Sequence, residues 1–203
     1  DMYRRTGKVS KMQDEFLNSL IKSEKRMKSV KTILQRELDK EGYTMLQTKL
    51  YERMTEQSEM EIFPEMLMWT FITQKQYDKA LRQARALDRQ FEENGGRVFD
   101  IAEIALDDNY YDTAIKGFEY ITTKKGINTS YYLEAKRGLL KAKRFKITKG
   151  YSYTQEDLLA LEAEYILFMA EYGRNSQTVL LMQEYAELQA LYMNDIDEAI
   201  EVL

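Results

Sequence analysis

The sequence predicts an all-α protein, and three observations carry that expectation. The 203 residues include a single proline, Pro64, and nine glycines, while the helix formers Leu, Ala, Glu, Lys, Arg and Met dominate. Apolar residues recur at helical spacing along nearly the whole chain. Tyr43, Tyr77 and Tyr111 stand 34 residues apart, and Phe145 continues the series at the same interval. A period of that length marks helical hairpins that cannot bury their apolar faces singly and therefore stack on one another.

Taken in order, residues 1–9 carry no apolar period and read as a frayed terminus, leaving one domain over 10–203. Met12, Phe16, Leu17, Leu20 and Ile21 share one face of a first helix from Ser10. Met27, Val30, Ile33, Leu34 and Leu38 mark a second helix, ended by Gly42, and Tyr43, Leu46, Leu50 and Met54 a third. Ser58 to Pro64 reads as a loop, with Pro64 acceptable in the first turn of the helix that follows. That helix runs to Thr73, and Gln74-Lys75-Gln76 turn the chain into Tyr77–Phe91. Asn94-Gly95-Gly96 breaks the pattern. Val98–Leu106 and Tyr111–Ile121 form the next pair, joined by Asp107-Asp108-Asn109. Asn128 or Thr129 can cap a helix from Tyr131 to about Phe145. Thr154 with Asp157 reads as a capping box for a helix ending at Tyr172-Gly173. Ser176 can cap one through Tyr192, and Asp195 opens the last. About eleven helices result, neighbours being antiparallel and joined by short turns.

Small residues follow the tyrosines at fixed offsets. Tyr77 precedes Ala80 and Ala84, Tyr111 precedes Ala114 and Phe118, and Ile196-Asp197-Glu198-Ala199 restates the pattern. Alanine is needed where the second helix of a hairpin crosses the first, because a larger side chain would force them apart. Laid on this period the chain resembles the tetratricopeptide repeat family, best over about 30–57, 64–93 and 98–122. A divergent, extended repeat spans 128–173 and a truncated one 176–203. Leu46 and Met68 depart from the family's small residues. Ala114 and Ala199 stand 85 residues apart, two periods and 17 residues more, so half a repeat is inserted.

The resemblance implies a right-handed α-α superhelix whose first helices line a concave groove. By that analogy the partner-binding residues are Gln35, Glu65, Trp69, Ile72, Phe99, Glu103, Arg137 and Lys141. Gln35, Trp69, Glu103 and Arg137 occupy the position where carboxylate-clamping members of the family carry asparagine, which argues against a clamp for acidic C-terminal tails. The expected function is a non-catalytic scaffold holding a peptide or helix of another protein, a basic and amphipathic segment suiting the groove. The helix over 63–72 is apolar all round and reads either as buried core or as a groove wall centred on Trp69.

Composition narrows the alternatives. With neither cysteine nor histidine in the chain, disulfides, Ser-His and Cys-His nucleophile systems and nearly all transition-metal sites are excluded, and no cofactor is called for. Any catalysis would rest on carboxylates, Lys, Tyr or Arg. Asp107 with Asp108 reads as turn chemistry, not a catalytic or metal pair. A helical accessory domain of a larger enzyme is one alternative. A nucleic-acid-binding solenoid is another, because residues 123–149 carry nine basic residues against Glu134 alone. Residues 150–203, however, carry eleven acidic residues against Arg174 alone, and the net charge is −4. Adjacent basic and acidic helices are expected to pair with each other.

No apolar run approaches the ~18–20 residues of a membrane span. Asp1 to Arg5 lacks the apolar core of a signal peptide. Asp195 to Leu203 reads as a helix in mid-run, so the chain reads as a fragment of a longer protein, soluble and either cytoplasmic or periplasmic. The abundance of Tyr, Lys, Glu and Asn suggests a bacterial source.

Overall fold

The computed structural model describes residues 2–150, 153–176 and 178–203. Among them are eleven α-helices, short 3-10 and π segments, and no strand. Where the sequence reads as one domain over 10–203, the chain divides into two compact units, residues 1–92 and 93–203. The boundary falls beside the Asn94-Gly95-Gly96 break.

In the first unit, α1 (Met2–Lys22) begins well before Ser10, so residues 2–9 are helical rather than frayed; Asp1 lies outside the described residues. Helix α1 packs on α3 (Lys40–Glu56). Leu17, Leu20, Leu46 and Leu50 are all buried. The buried Gln13 side chain donates to the Gly42 carbonyl at 2.9 Å, and Lys49 reaches Asp14 and the Ser10 carbonyl. Between them α2 (Met27–Glu37) buries Val30 and Leu34. It stops at Leu38, not Gly42. Asp39 caps α3 by accepting from the Gly42 amide at 2.9 Å, which places Gly42 inside the first turn of the next helix. Here the N-cap preference of aspartate decides the boundary.

Helices α4 (Ile62–Thr73) and α5 (Tyr77–Gln90) form a hairpin. Lys75 takes positive φ, the Gln76 amide donates to the Phe71 carbonyl at 2.8 Å, and α5 starts at Tyr77. Ala80 and Ala84 are buried against α4. Most of α4 is core: Ile62, Phe63, Met66, Leu67 and Phe71 are buried, while Met68, Trp69 and Ile72 are half-buried.

The same turn recurs in the second unit. Between α6 (Gly96–Asp107) and α7 (Tyr111–Tyr120), Asn109 takes positive φ and the Tyr110 amide donates to the Ala105 carbonyl at 2.7 Å. These are the Lys75 and Gln76 positions moved on by one period. Between α10 (Val179–Leu188) and α11 (Ile196–Val202), Asn194 takes positive φ. Asparagine tolerates this conformation better than most side chains. Ala114 and Ala199 are buried as Ala80 is. Tyr111 is half-buried, its hydroxyl donating to Asn109. Phe145 lies late in α8 (Tyr132–Lys149), so the fourth 34-residue interval marks no hairpin start.

Helix α9 (Gln155–Tyr172) begins with the expected Thr154–Asp157 capping box. Two other caps differ from the sequence reading. Thr178, not Ser176, precedes α10, and its hydroxyl oxygen accepts from the Asn175 amide. Thr129 accepts from the Tyr131 amide but donates to the Asn94 carbonyl at 2.6 Å, tying the α8 entry back to the start of the unit. Leu158, Leu161, Tyr165, Phe168, Leu181, Tyr185, Leu188 and Val202 form a core joining α9, α10 and α11.

Two substitutions test this packing. Ala80→Leu must place three more carbons in a filled helix crossing, and we expect a loss of about 1–3 kcal/mol in denaturant unfolding. Gly138 of α8 is the second point: a Cβ there would stand 2.5–2.8 Å from ring carbons of the buried Phe118. Alanine is favoured over glycine in a helix by about 1 kcal/mol. Gly138→Ala should nonetheless destabilise the chain, and Phe118→Leu in the same molecule should recover part of the loss.

Candidate functional site

The second unit contains a cleft of about 460 Å³ whose walls come from alternate helices, α6, α8 and α10. Three sequence-predicted groove residues meet there: Glu103 on α6, with Arg137 and Lys141 on α8. Asp107, Glu134, Leu180, Glu184 and Glu187 also line it, and Phe118 of α7 forms part of its floor beside Gly138. The absence of a side chain at Gly138 lets α8 lie close over Phe118, which sets the depth of the floor. Phe99 lies outside the lining. Its half-buried ring packs between Phe118 (5.8 Å between centroids) and Tyr131 (5.2 Å).

Glu187 was missed by the sequence reading, and the register explains why. The turn residues Asn109 and Asn194 are 85 apart, but a π segment, Gln189–Met193, closes α10. The Asp195 amide reaches back to Gln189, one residue further than Tyr110 reaches to Ala105. Upstream of that segment the offset is therefore 84. It pairs Ala102 with Ala186, both buried, and Glu103 with Glu187. Glu187 thus holds on α10 the position that Glu103 holds on α6, and both line the cleft with Arg137 of α8.

The cleft is electrically divided. Arg144 of α8 is committed to the α10 wall, with 2.9 Å to Glu187 and 3.6 Å to Glu184. Arg137 makes no hydrogen bond or ion pair among the described residues, and Lys141 lies 5.7 Å from the Phe145 ring centroid. On the opposite wall, partial desolvation followed by repulsion from Asp107 and Asp100 raises the Glu103 pKa above the ordinary carboxylate value, with Lys141 opposing. The site therefore offers an acidic wall, a pair of cations one turn apart, and an apolar floor.

Three further cations of the basic helix are paired internally, while Lys149 lies 4.1 Å from the Phe145 ring centroid. Lys136 binds Glu171, Lys143 binds Glu164 at 2.7 Å, and Lys146 binds Asp112 at 2.6 Å. Behind the α10 wall Tyr165 and Tyr185 stack at 5.5 Å, and Gln189 donates to the Tyr185 hydroxyl at 2.7 Å.

The remaining predicted residues belong to the first unit. Gln35 is exposed on α2. Glu65 is half-buried and interacts with Lys31 of α2; burial pushes its pKa up, Lys31 pulls it down, and Glu24 adds to the rise. Trp69 lies 6.0 Å from the Tyr43 ring, tilted by 50°. Ile72 is half-buried beside it on α4.

Among the described residues no group of three or more carboxylates could hold a metal ion, and no helix is long and apolar enough to cross a membrane. In comparisons with known proteins, no family model, no curated protein and no solved structure matches this chain.

Burial, and the carboxylates Glu162 and Glu198 nearby, push the Tyr185 phenol up to about 12, with the Gln189 hydrogen bond opposing. A tyrosine raised above its ordinary 10 binds more protons folded than unfolded between those values, so its stabilisation is complete below pH 10 and is lost as pH rises toward 12. Thermal denaturation between pH 9 and 12 should show stability falling across this window, and Tyr185→Phe should flatten that fall.

Proposed function

We propose that this protein is a non-catalytic scaffold built from helical repeats of the tetratricopeptide kind, and that the α6–α8–α10 cleft holds a segment of another protein. The observation that carries the reading is the meeting of Glu103, Arg137 and Glu187, from the alternate helices α6, α8 and α10, in one cleft. Stacked hairpins generate such a lining, since every second helix faces the same side. Three recurrences of the positive-φ turn followed by a buried alanine support the same reading.

The chemistry specifies the ligand in outline. A bound segment places an apolar side chain against the exposed Leu180 and a carboxylate against Arg137 and Lys141. Its own cation faces Glu103 and Asp107. Both signs of charge on the cleft walls fix the register of such a segment more than they raise its affinity. Trp69 and Ile72, half-buried on α4, form a separate candidate surface within the first unit. A nucleic-acid ligand is less well supported, because Lys136, Lys143, Arg144 and Lys146 already hold carboxylates of the same chain.

The test selects peptides from a random displayed library against the whole chain, then measures them by calorimetry against the double variant Arg137→Glu, Lys141→Glu. Selected peptides should share an acidic residue near an apolar one and lose about 2 kcal/mol or more with the variant, the range of interface hot spots. Peptides that bind both proteins equally would remove the cleft from consideration.

A further inference from the structure

The outer face of α9 differs from those of the helices that close the earlier hairpins. Charged side chains dominate the exposed residues of α5 (Asp78, Lys79, Arg82 and Arg89) and of α7 (Asp112, Lys116 and Glu119). On α9 the outer face carries Leu159, Ala160, Ala163, Ile166, Leu167 and Ala170, all exposed and all apolar. Leu159 is 50%, Ile166 49% and Leu167 68% exposed. Helical spacing gathers them into one stripe, on the side of α9 away from the buried Leu158, Leu161, Tyr165 and Phe168. Helix α9 already packs on α8 and on α10, its neighbours in sequence on both sides. Helix α7 packs on α6 and α8 in the same way and keeps a charged outer face, so hairpin stacking does not call for a further helix over α9. Toward α8 the stripe runs into a shallow hollow of about 170 Å³ lined by Leu139, Leu140, Leu167 and Phe168.

All the charge within α9 is acidic, yet most of it is already matched. Lys136 and Lys143 of α8 hold Glu171 and Glu164, Asp157 closes the capping box, and Glu162 accepts from Gln189. Glu156, at the start of the helix, makes no ion pair among the described residues. Beyond the Gly173 stop, Arg174 donates to the Glu201 carbonyl at 2.9 Å and likewise makes no ion pair among them. An unmatched acid and an unmatched cation thus stand at opposite ends of one apolar stripe.

We propose that this face joins two copies of the chain, α9 lying antiparallel on α9 about a two-fold axis near the middle of the helix. The face supplies its own complement. Turned end for end, Glu156 of each copy meets the partner's Arg174. In the same register Ala163 faces the partner's Leu167 and Ala160 faces the partner's Ala170. Leu167 then packs on a methyl group, and the alanines let the two backbones approach closely. Leu159, Ile166 and Leu167 leave water on both copies. A parallel pair would instead set Glu156 against Glu156 and Arg174 against Arg174. None of the stripe residues lines the α6–α8–α10 cleft, so pairing leaves that cleft unaltered.

Sedimentation equilibrium of the whole chain, carried into the high micromolar range, should show monomer and dimer in exchange. Ile166→Glu should weaken the dimer at least about tenfold, a loss of about 1.4 kcal/mol or more. Glu156→Arg should weaken it too, and adding Arg174→Glu to the same chain should restore it, because an antiparallel pair then recovers both end contacts. The chain has no cysteine, so introduced thiols report the register. A mixture of Ala160→Cys and Ala170→Cys chains should form intermolecular disulfides faster than either variant alone. All these side chains are exposed, and circular dichroism checks that the variants remain helical. The Arg137→Glu, Lys141→Glu variant should dimerise as the parent does, which separates this surface from the cleft. A chain that stays monomeric throughout, or a dimer indifferent to Ile166→Glu, would overturn the proposal. So would a double charge reversal that fails to restore the dimer, or a thiol mixture that cross-links no faster than its components.

Discussion

The hairpins α4–α5, α6–α7 and α10–α11 each turn through a residue at positive φ and then place a buried alanine in the first turn of the second helix. The two features act together. The turn fixes the direction in which the second helix leaves, and the methyl side chain sets how closely it can return along the first. Once that distance is fixed, the outer faces of the pair form a trough of definite width, and whatever packs next must fit it. Gly138 meeting Phe118 shows how strict the fit becomes, since one carbon atom there has no room. The cleft floor follows from this local geometry.

Charge is arranged on top of the packing and serves orientation more than stability. The cations of α8 meet acids from α7, α9 and α10 in pairs whose acid partner is open to solvent. Such pairs contribute at most about 1 kcal/mol each. Their effect is to make one alignment of α8 preferable to its neighbours. The cations outside this matching that line the cleft, Arg137 and Lys141, are the ones left to meet a ligand.

Much of the fold was legible because its signals are local. The helix starts at Tyr77 and Ile196 and the Thr154 box follow from side chains that act within a few residues of themselves. Gly42 was misread as a terminator because glycine and the preceding Asp39 both signal a boundary, and only the cap geometry shows which one sets it. Thr178 displaced Ser176 as the residue before α10 in the same way. Residues 2–9 lack an apolar period yet are helical. The cleft was half visible. Glu103, Arg137 and Lys141 follow from the 34-residue interval, whereas Glu187 is hidden by the π segment, which shifts the register by one without leaving a pattern in the sequence. Phe99 has a groove position by register, but its ring is drawn between Phe118 and Tyr131, a tertiary preference that no spacing reveals.

The central claim is that α6, α8 and α10 form one binding cleft, and a crystal structure of the whole chain with a selected peptide tests it most directly. The account predicts peptide density along the cleft, with a carboxylate within hydrogen-bond distance of Arg137 or Lys141 and an apolar side chain against Leu180. A peptide bound elsewhere, or Glu103, Arg137 and Glu187 found on separate surfaces, would contradict it.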